Sequence, residues 1–242
     1  MKQYLLSLAL LGSLSTTVLA QTPAKPTPTA AELKKNFAII SAGTEGESDA
    51  FDKLTTSTAR RLVAYLKAHE VTAAEAKNLG LSYLDSKDAN HLKVFSYSYS
   101  SGGTRGTIDR PVFQWKNAAG QLFAYALGEE CGFYEIHRLA SPGRTLYLLL
   151  GNQKGDSNCD VGQAYVVELK GNYLLTDNVV FGKKTALNLC NVGMEFSDTK
   201  QVLHLDLAEY STEHDETLPP QWYRPGAKSL NLKFSDGHFV KN

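Results

Sequence analysis

Residues 92–127, LKVFSYSYSSGGTRGTIDRPVFQWKNAAGQLFAYAL, contain alternating runs separated by turn chemistry. Phe95, Tyr97 and Tyr99 share one side of the first run, Phe113 and Trp115 one side of the next, and Phe123, Tyr125 and Leu127 one side of the last. Ser96, Ser98, Gln114, Lys116, Ala124 and Ala126 alternate with them. A period of two is that of a β-strand, whose successive side chains point to opposite faces. If the strands are neighbours, the large residues line one side of one sheet. That side is either a core face, because aromatic residues have the greatest area to bury, or a stacking platform for sugars or peptides. In the link Gly102-Gly103-Thr104-Arg105-Gly106 the glycines permit positive φ and Arg105 can recruit an anion; a mobile hairpin tip is the alternative.

The same alternation continues to the end of the chain. It predicts strands at about 92–99, 111–116, 121–127, 133–140, 144–150, 161–169 and 172–176, and later ones near 193–197, 201–209, 228–234 and 238–241. Their separators, such as Ser141-Pro142-Gly143, Lys170-Gly171-Asn172 and Ser235-Asp236-Gly237, are short turns, which imply antiparallel neighbours. The expected fold is mainly β: an antiparallel meander, built as a sandwich or as an incomplete propeller-like sheet. Strands in runs of about four suit propeller blades, but only about three such groups fit. A faint echo links LDSKDANHLKVF (84–95) with FSDTKQVLHLDL (196–207), as two hairpins with polar turns would.

Upstream the period is helical. Phe51, Leu54, Thr58, Leu62, Tyr65 and Leu66 recur at three- and four-residue spacing and predict a helix over Asp49–His69 that docks on the β domain. Thr72-Ala73-Ala74-Glu75 is a capping box and Gly80 a helix-terminating glycine, so a short helix is expected from Ala73 to Leu79. At the start, Lys2, the apolar run Tyr4–Leu11 and Val18-Leu19-Ala20 have the form of a cleavable signal peptide, and the Pro/Thr/Ala run after it that of a flexible leader. The expected organisation is therefore a signal peptide at 1–20, a leader at 21–31, a helical lead-in at 32–80 and one antiparallel β domain at 81–242, secreted or periplasmic. No later apolar run approaches the roughly 20 residues of a membrane span.

Twenty-five basic and twenty-five acidic residues, scattered along the chain, give no argument for nucleic acid. Three cysteines in an oxidising compartment imply a bridge and a thiol left over. Cys131 precedes a strand that turns at Ser141-Pro142-Gly143, and Cys159 follows the returning strand. A Cys131–Cys159 disulfide is therefore expected, with Cys190 free.

The stretch 92–127 also resembles a family of secreted bacterial β-rich proteins of unknown function. The matching elements are Lys93-Val94-Phe95-Ser96-Tyr97, Gly102-Gly103-Thr104 and Phe113-Gln114-Trp115-Lys116, with weaker echoes at 147–152 and 195–206. The family typically carries Trp-Asp where this chain has Tyr97-Ser98. The resemblance implies a secreted β-rich protein and brings no activity with it.

Catalytic signatures such as GxSxG, HExxH, GxGxxG and CxxC do not occur, and the histidines never adopt a metal-ligand spacing. Ser197-Asp198-Thr199-Lys200 matches SxxK but reads as a hairpin turn. Asp156, Asn158 and Asp160 place oxygens at alternate positions in a glycine-flanked loop, a candidate calcium site; the alternative is a polar loop of Asx turns. Trp222 and Tyr223, bracketed by Pro219-Pro220 and Pro225-Gly226, are candidate partner anchors, unless their loop folds back to plug the domain end. These features favour a noncatalytic module, without a cofactor, that binds an envelope, glycan or protein partner. The competing class is an extracytoplasmic hydrolase whose carboxylates, among Asp109, Glu129, Glu130 and Glu135, meet only in the fold.

Overall fold

The computed structural model describes residues 27–210 and 218–242. The expected signal peptide, and residues 21–26 of the expected leader, lie outside the described residues. Helix α1 (Ala30–Ala42) begins before the expected boundary at 32 and was not among the expected elements. Its start is a capping box: the Thr29 hydroxyl accepts from the Glu32 amide at 3.3 Å, while the Glu32 carboxylate accepts from the Thr29 amide at 2.8 Å. Leu33, Phe37 and Ile40 form its buried stripe. Helix α2 (Asp49–Ala68) starts at Ser48 and buries Phe51, Thr58, Leu62 and Leu66. Helix α3 (Ala73–Leu79) has the expected Thr72–Glu75 box and ends on Gly80 at φ 84°, a left-handed position that suits glycine.

The rest of the described residues form three antiparallel sheets in chain order. The first holds β1 (Ser82–Asp85), β2 (Lys93–Ser100), β3 (Thr107–Lys116) and β4 (Leu122–Ala126). The second holds β5 (Gly132–Leu139), β6 (Thr145–Asp156), β7 (Cys159–Lys170) and β8 (Tyr173–Leu175), with β9 (Ala186–Cys190) also paired to β7. The third holds β10 (Gly193–Ser197), β11 (Val202–Asp206), β12 (Ser229–Ser235) and β13 (His238–Lys241). The sequence echo falls on β1–β2 and β10–β11, the first hairpins of the outer sheets. Strands β1 and β9 are additions to the expected set.

Strand alternation explains how the sheets stack. On β6, Leu146, Leu148 and Leu150 pack toward the third sheet with Leu203, Leu205 and Leu232, whereas Tyr147 and Leu149 pack toward the first sheet with Val94, Phe113 and Trp115. On β7, Ala164 and Val166 take the former side, Tyr165 and Val167 the latter. The second sheet is thus apolar on both faces and forms the middle layer. The helices cover the far face of the first sheet. The arrangement is an open stack of blade-like meanders.

The single aromatic face inferred from sequence is corrected by the register. Phe95 pairs with Val112 and Val94 with Phe113, and directly paired residues share a face. Phe95, Tyr97 and Tyr99 consequently meet the helices, while Phe113 and Trp115 meet the second sheet. Both are core faces. Polar residues on the helix side hold the end of α2 and the connection after it: Gln114 Nε2 donates to the carbonyls of Leu66 and His69 at 2.6 and 2.7 Å, and buried Lys93 donates to Val71 O at 3.1 Å. The Gln114 bonds satisfy carbonyls that a helix end leaves without an intrahelical partner.

The disulfide joins Cys159 to Cys190, with Cα atoms 5.2 Å apart, and Cys131 is free and buried; the expected Cys131–Cys159 bridge is overturned. Two features of the fold account for this. The hairpin between β6 and β7 is tighter than its polar sequence suggests, with Asp156 opposite Cys159, so β6 runs well past the level of Cys131. Strand β9 then pairs Cys190 with Val161 and brings it beside Cys159. Cys131 instead packs over Gly151, where an added Cβ would come within 2.4 Å of its sulfur. Burial, with the Asp109 carboxylate nearby, pushes the Cys131 thiol pKa far up.

Candidate functional site

A cleft of about 470 Å³ opens where the first and second sheets meet at the end carrying the β2–β3 and β6–β7 hairpins. That volume lies within the roughly 300–1,000 Å³ of small-ligand sites. Alternation again sets its wall. Val161, Gln163 and Tyr165 of β7 share the face that packs against the first sheet, and Asn188 pairs directly with Gln163. The disulfide crosses one side, since Cys159 and Cys190 both line the cleft. The opposite wall comes from Arg105, in the glycine-rich link, from Arg110 on β3, and from Gly128-Glu129-Glu130 between β4 and β5.

These groups are held by a specific polar network. Glu130 lies between the guanidinium groups of Arg105 and Arg110, the latter at 2.9 Å. Arg110 also donates to the Tyr99 hydroxyl at 3.1 Å and to Gly128 O at 3.2 Å. Burial disfavours its charge, but the Tyr99 hydrogen bond and the Glu130 carboxylate outweigh that and push its pKa above the ordinary value. Gln153 Nε2 donates to Thr107 O at 2.6 Å while its Oε1 accepts from the Asp109 amide at 3.4 Å, joining the two sheets beneath the cleft. Gln163, only 6% exposed, donates through Nε2 to Glu130 O and to Asn188 Oδ1. Its Oε1 is buried and has no partner among the described residues.

Of the expected site residues, Arg105 is in this cleft, and Asp156, Asn158, Asp160, Trp222 and Tyr223 are elsewhere. Trp222 is 6% exposed in the core between the second and third sheets, so the exposed-anchor expectation fails for it and the fold-back alternative describes its loop. Half-buried Tyr223 packs edge-to-face on Tyr210 at 5.2 Å. The ring of Trp222 packs within that core cluster, and its main-chain carbonyl accepts from Lys241 Nζ of β13 at 2.9 Å. The Asp156-Ser157-Asn158 stretch is a hairpin tip: Asp156 Oδ1 accepts from the Asn158 amide at 2.7 Å, and Asp160 pairs with Lys154 at 3.1 Å. Among the described residues no group of His, Cys, Asp and Glu is placed to hold a metal ion.

Three of the candidate hydrolytic acids have separate engagements: Asp109 accepts a 2.5 Å hydrogen bond from Ser98, Glu135 lies 3.0 Å from His137, and Glu130 is bound to the arginines. Glu129 lines the cleft beside Glu130. Sequence reading missed Arg110, Gln153, Gln163 and Asn188. Each sits on a strand, and their convergence depends on strand pairing and inter-sheet packing. The alternation of Val161, Gln163 and Tyr165 was the available signal for Gln163. Family models, curated proteins and solved structures return no match to the chain.

Proposed function

We propose that this protein is an exported, noncatalytic binding module, and that the Arg105–Gln163 cleft receives an envelope, glycan or protein partner. The observation that carries this reading is the pre-ordered hydrogen-bonding wall: strand residues, an inter-sheet glutamine and a disulfide fix side-chain donors and acceptors around a ligand-sized space. Such rigidity lowers the ordering cost of binding. Glu130, held by two cations, supports a structural role over proton transfer, which favours binding over the hydrolase alternative. The signal-like N-terminus, the disulfide and the resemblance of 92–127 to secreted bacterial proteins support an extracytoplasmic location. Among the described residues no helix is long and apolar enough to cross a membrane.

The test is to present immobilised protein with fractionated envelope glycans and extracellular proteins, and to weigh each retained ligand by mass spectrometry after prolonged incubation. Saturable retention with unchanged ligand mass is the expected result. Cleavage or modification of a retained ligand would overturn the noncatalytic reading.

A further inference from the structure

We infer that the cleft takes an acidic saccharide, with the sugar carboxylate on Arg105 and a sugar hydroxyl donating to Gln163 Oε1. This rests on the cleft being a binding site, and it goes further by naming the ligand's chemistry. The basic groups at the cleft differ in what already occupies them. Arg110 is engaged by Tyr99, Gly128 O and Glu130, and Lys154 by Asp160. Arg105, with 38% of its side chain exposed, pairs through Nη2 with Glu130. A guanidinium carries more N–H donors than that one contact uses, in a planar fork suited to a carboxylate. Arg105 sits on the β2–β3 link between Gly102 and Gly106, both at positive φ, outside the strand ladder.

Gln163 supplies the second, independent feature. Its amide orientation is set by two acceptors on Nε2, Glu130 O at 3.2 Å and Asn188 Oδ1 at 3.3 Å, which leaves Oε1 as the acceptor. A buried acceptor without a donor is uncommon in folded proteins and calls for an explanation; a ligand O–H supplies one. A carboxylate near a hydroxyl is the chemistry of a uronic acid. The cleft's polar wall holds the amides of Gln153, Gln163 and Asn188, the two guanidinium groups and Lys154, which suit hydroxyls and carboxylates, beside Glu129 and the arginine-bound Glu130; Tyr165 and Val161 add apolar surface for a ring. An acidic peptide offers the charge but presents fewer hydroxyl donors.

Calorimetric titration of the folded protein with trigalacturonate, its methyl ester and triglutamate tests the assignment. Trigalacturonate is expected to bind at least tenfold more tightly than the ester, and Arg105→Ala to erase that difference. Gln163→Met, checked for an unchanged unfolding midpoint, should weaken the acid and the ester alike. The ester comparison needs no variant, so a misfolded Gln163→Met would not decide the matter. Equal binding of acid and ester, stronger binding of triglutamate, or no binding of trigalacturonate would overturn the inference. Equal binding at the cleft would leave the binding-module reading intact; cleavage of a tightly bound trigalacturonate would instead defeat the noncatalytic reading and keep the acid selectivity.

Discussion

Replacing Cys159 and Cys190 together with alanine is expected to lower the free energy of unfolding by about 3 to 4 kcal/mol on the chain-entropy account of cross-links, given their separation of 31 residues. The bridge closes a loop containing β7, β8 and β9, so the unfolded chain regains much of the freedom it lacks when oxidised. Urea unfolding of the oxidised protein and the double variant measures the difference. Coincident midpoints would show that the bridge contributes nothing, and nonreducing peptide maps linking Cys131 to either partner would refute the pairing. Because both cysteines line the cleft, the same variant should also bind ligand more weakly at a temperature where it remains folded.

Leu62→Ala should destabilise the protein by about 2 to 5 kcal/mol, the range for truncating a buried leucine. Leu62 is fully buried in the cluster that α1, α2 and the first sheet share with Phe37, Phe95 and Tyr97. Its loss removes apolar contact and leaves a cavity beneath a helix whose end the Gln114 hydrogen bonds hold in place. Lys67→Ala, on the exposed side of α2, is the control and should change stability by no more than about 0.5 kcal/mol. A helix that melts before the sheets, seen as a separate circular-dichroism transition, would mean that the lead-in is only peripherally attached.

Much of the architecture could be read from local pattern. Helix α3 was marked at both ends by Thr72, Glu75 and Gly80, and α2 by the spacing from Phe51 to Leu66. Helix α1 carries the same Thr-Ala-Ala-Glu signature at Thr29–Glu32, but the adjoining proline-rich run obscured it. Strand β9 was legible too, in the alternation Ala186-Leu187-Asn188-Leu189-Cys190, and overlooking it led directly to the wrong disulfide. The site was harder to read. Arg105 stood out because it interrupts glycines, whereas Gln163 and Asn188 acquire their meaning only from a strand pairing, and Gln153 only from a contact between sheets. Trp222 misled for a related reason: an irregular segment need not be exposed, since a large ring can be drawn into the core wherever a sheet end offers apolar area.

The central claim is that partner binding occurs in the cleft between the first two sheets. Two-dimensional NMR titration of isotopically labelled protein with trigalacturonate tests it most directly. The account predicts saturable shifts of the Arg105 guanidinium and Gln163 side-chain amide signals, together with the backbone amides of Gly128, Glu130 and Gly155. Shifts centred instead on the Trp222–Tyr223 segment, or on the separate cleft lined by Asp160, Glu195 and Asp206, with the Gln163 amide unmoved, would contradict it.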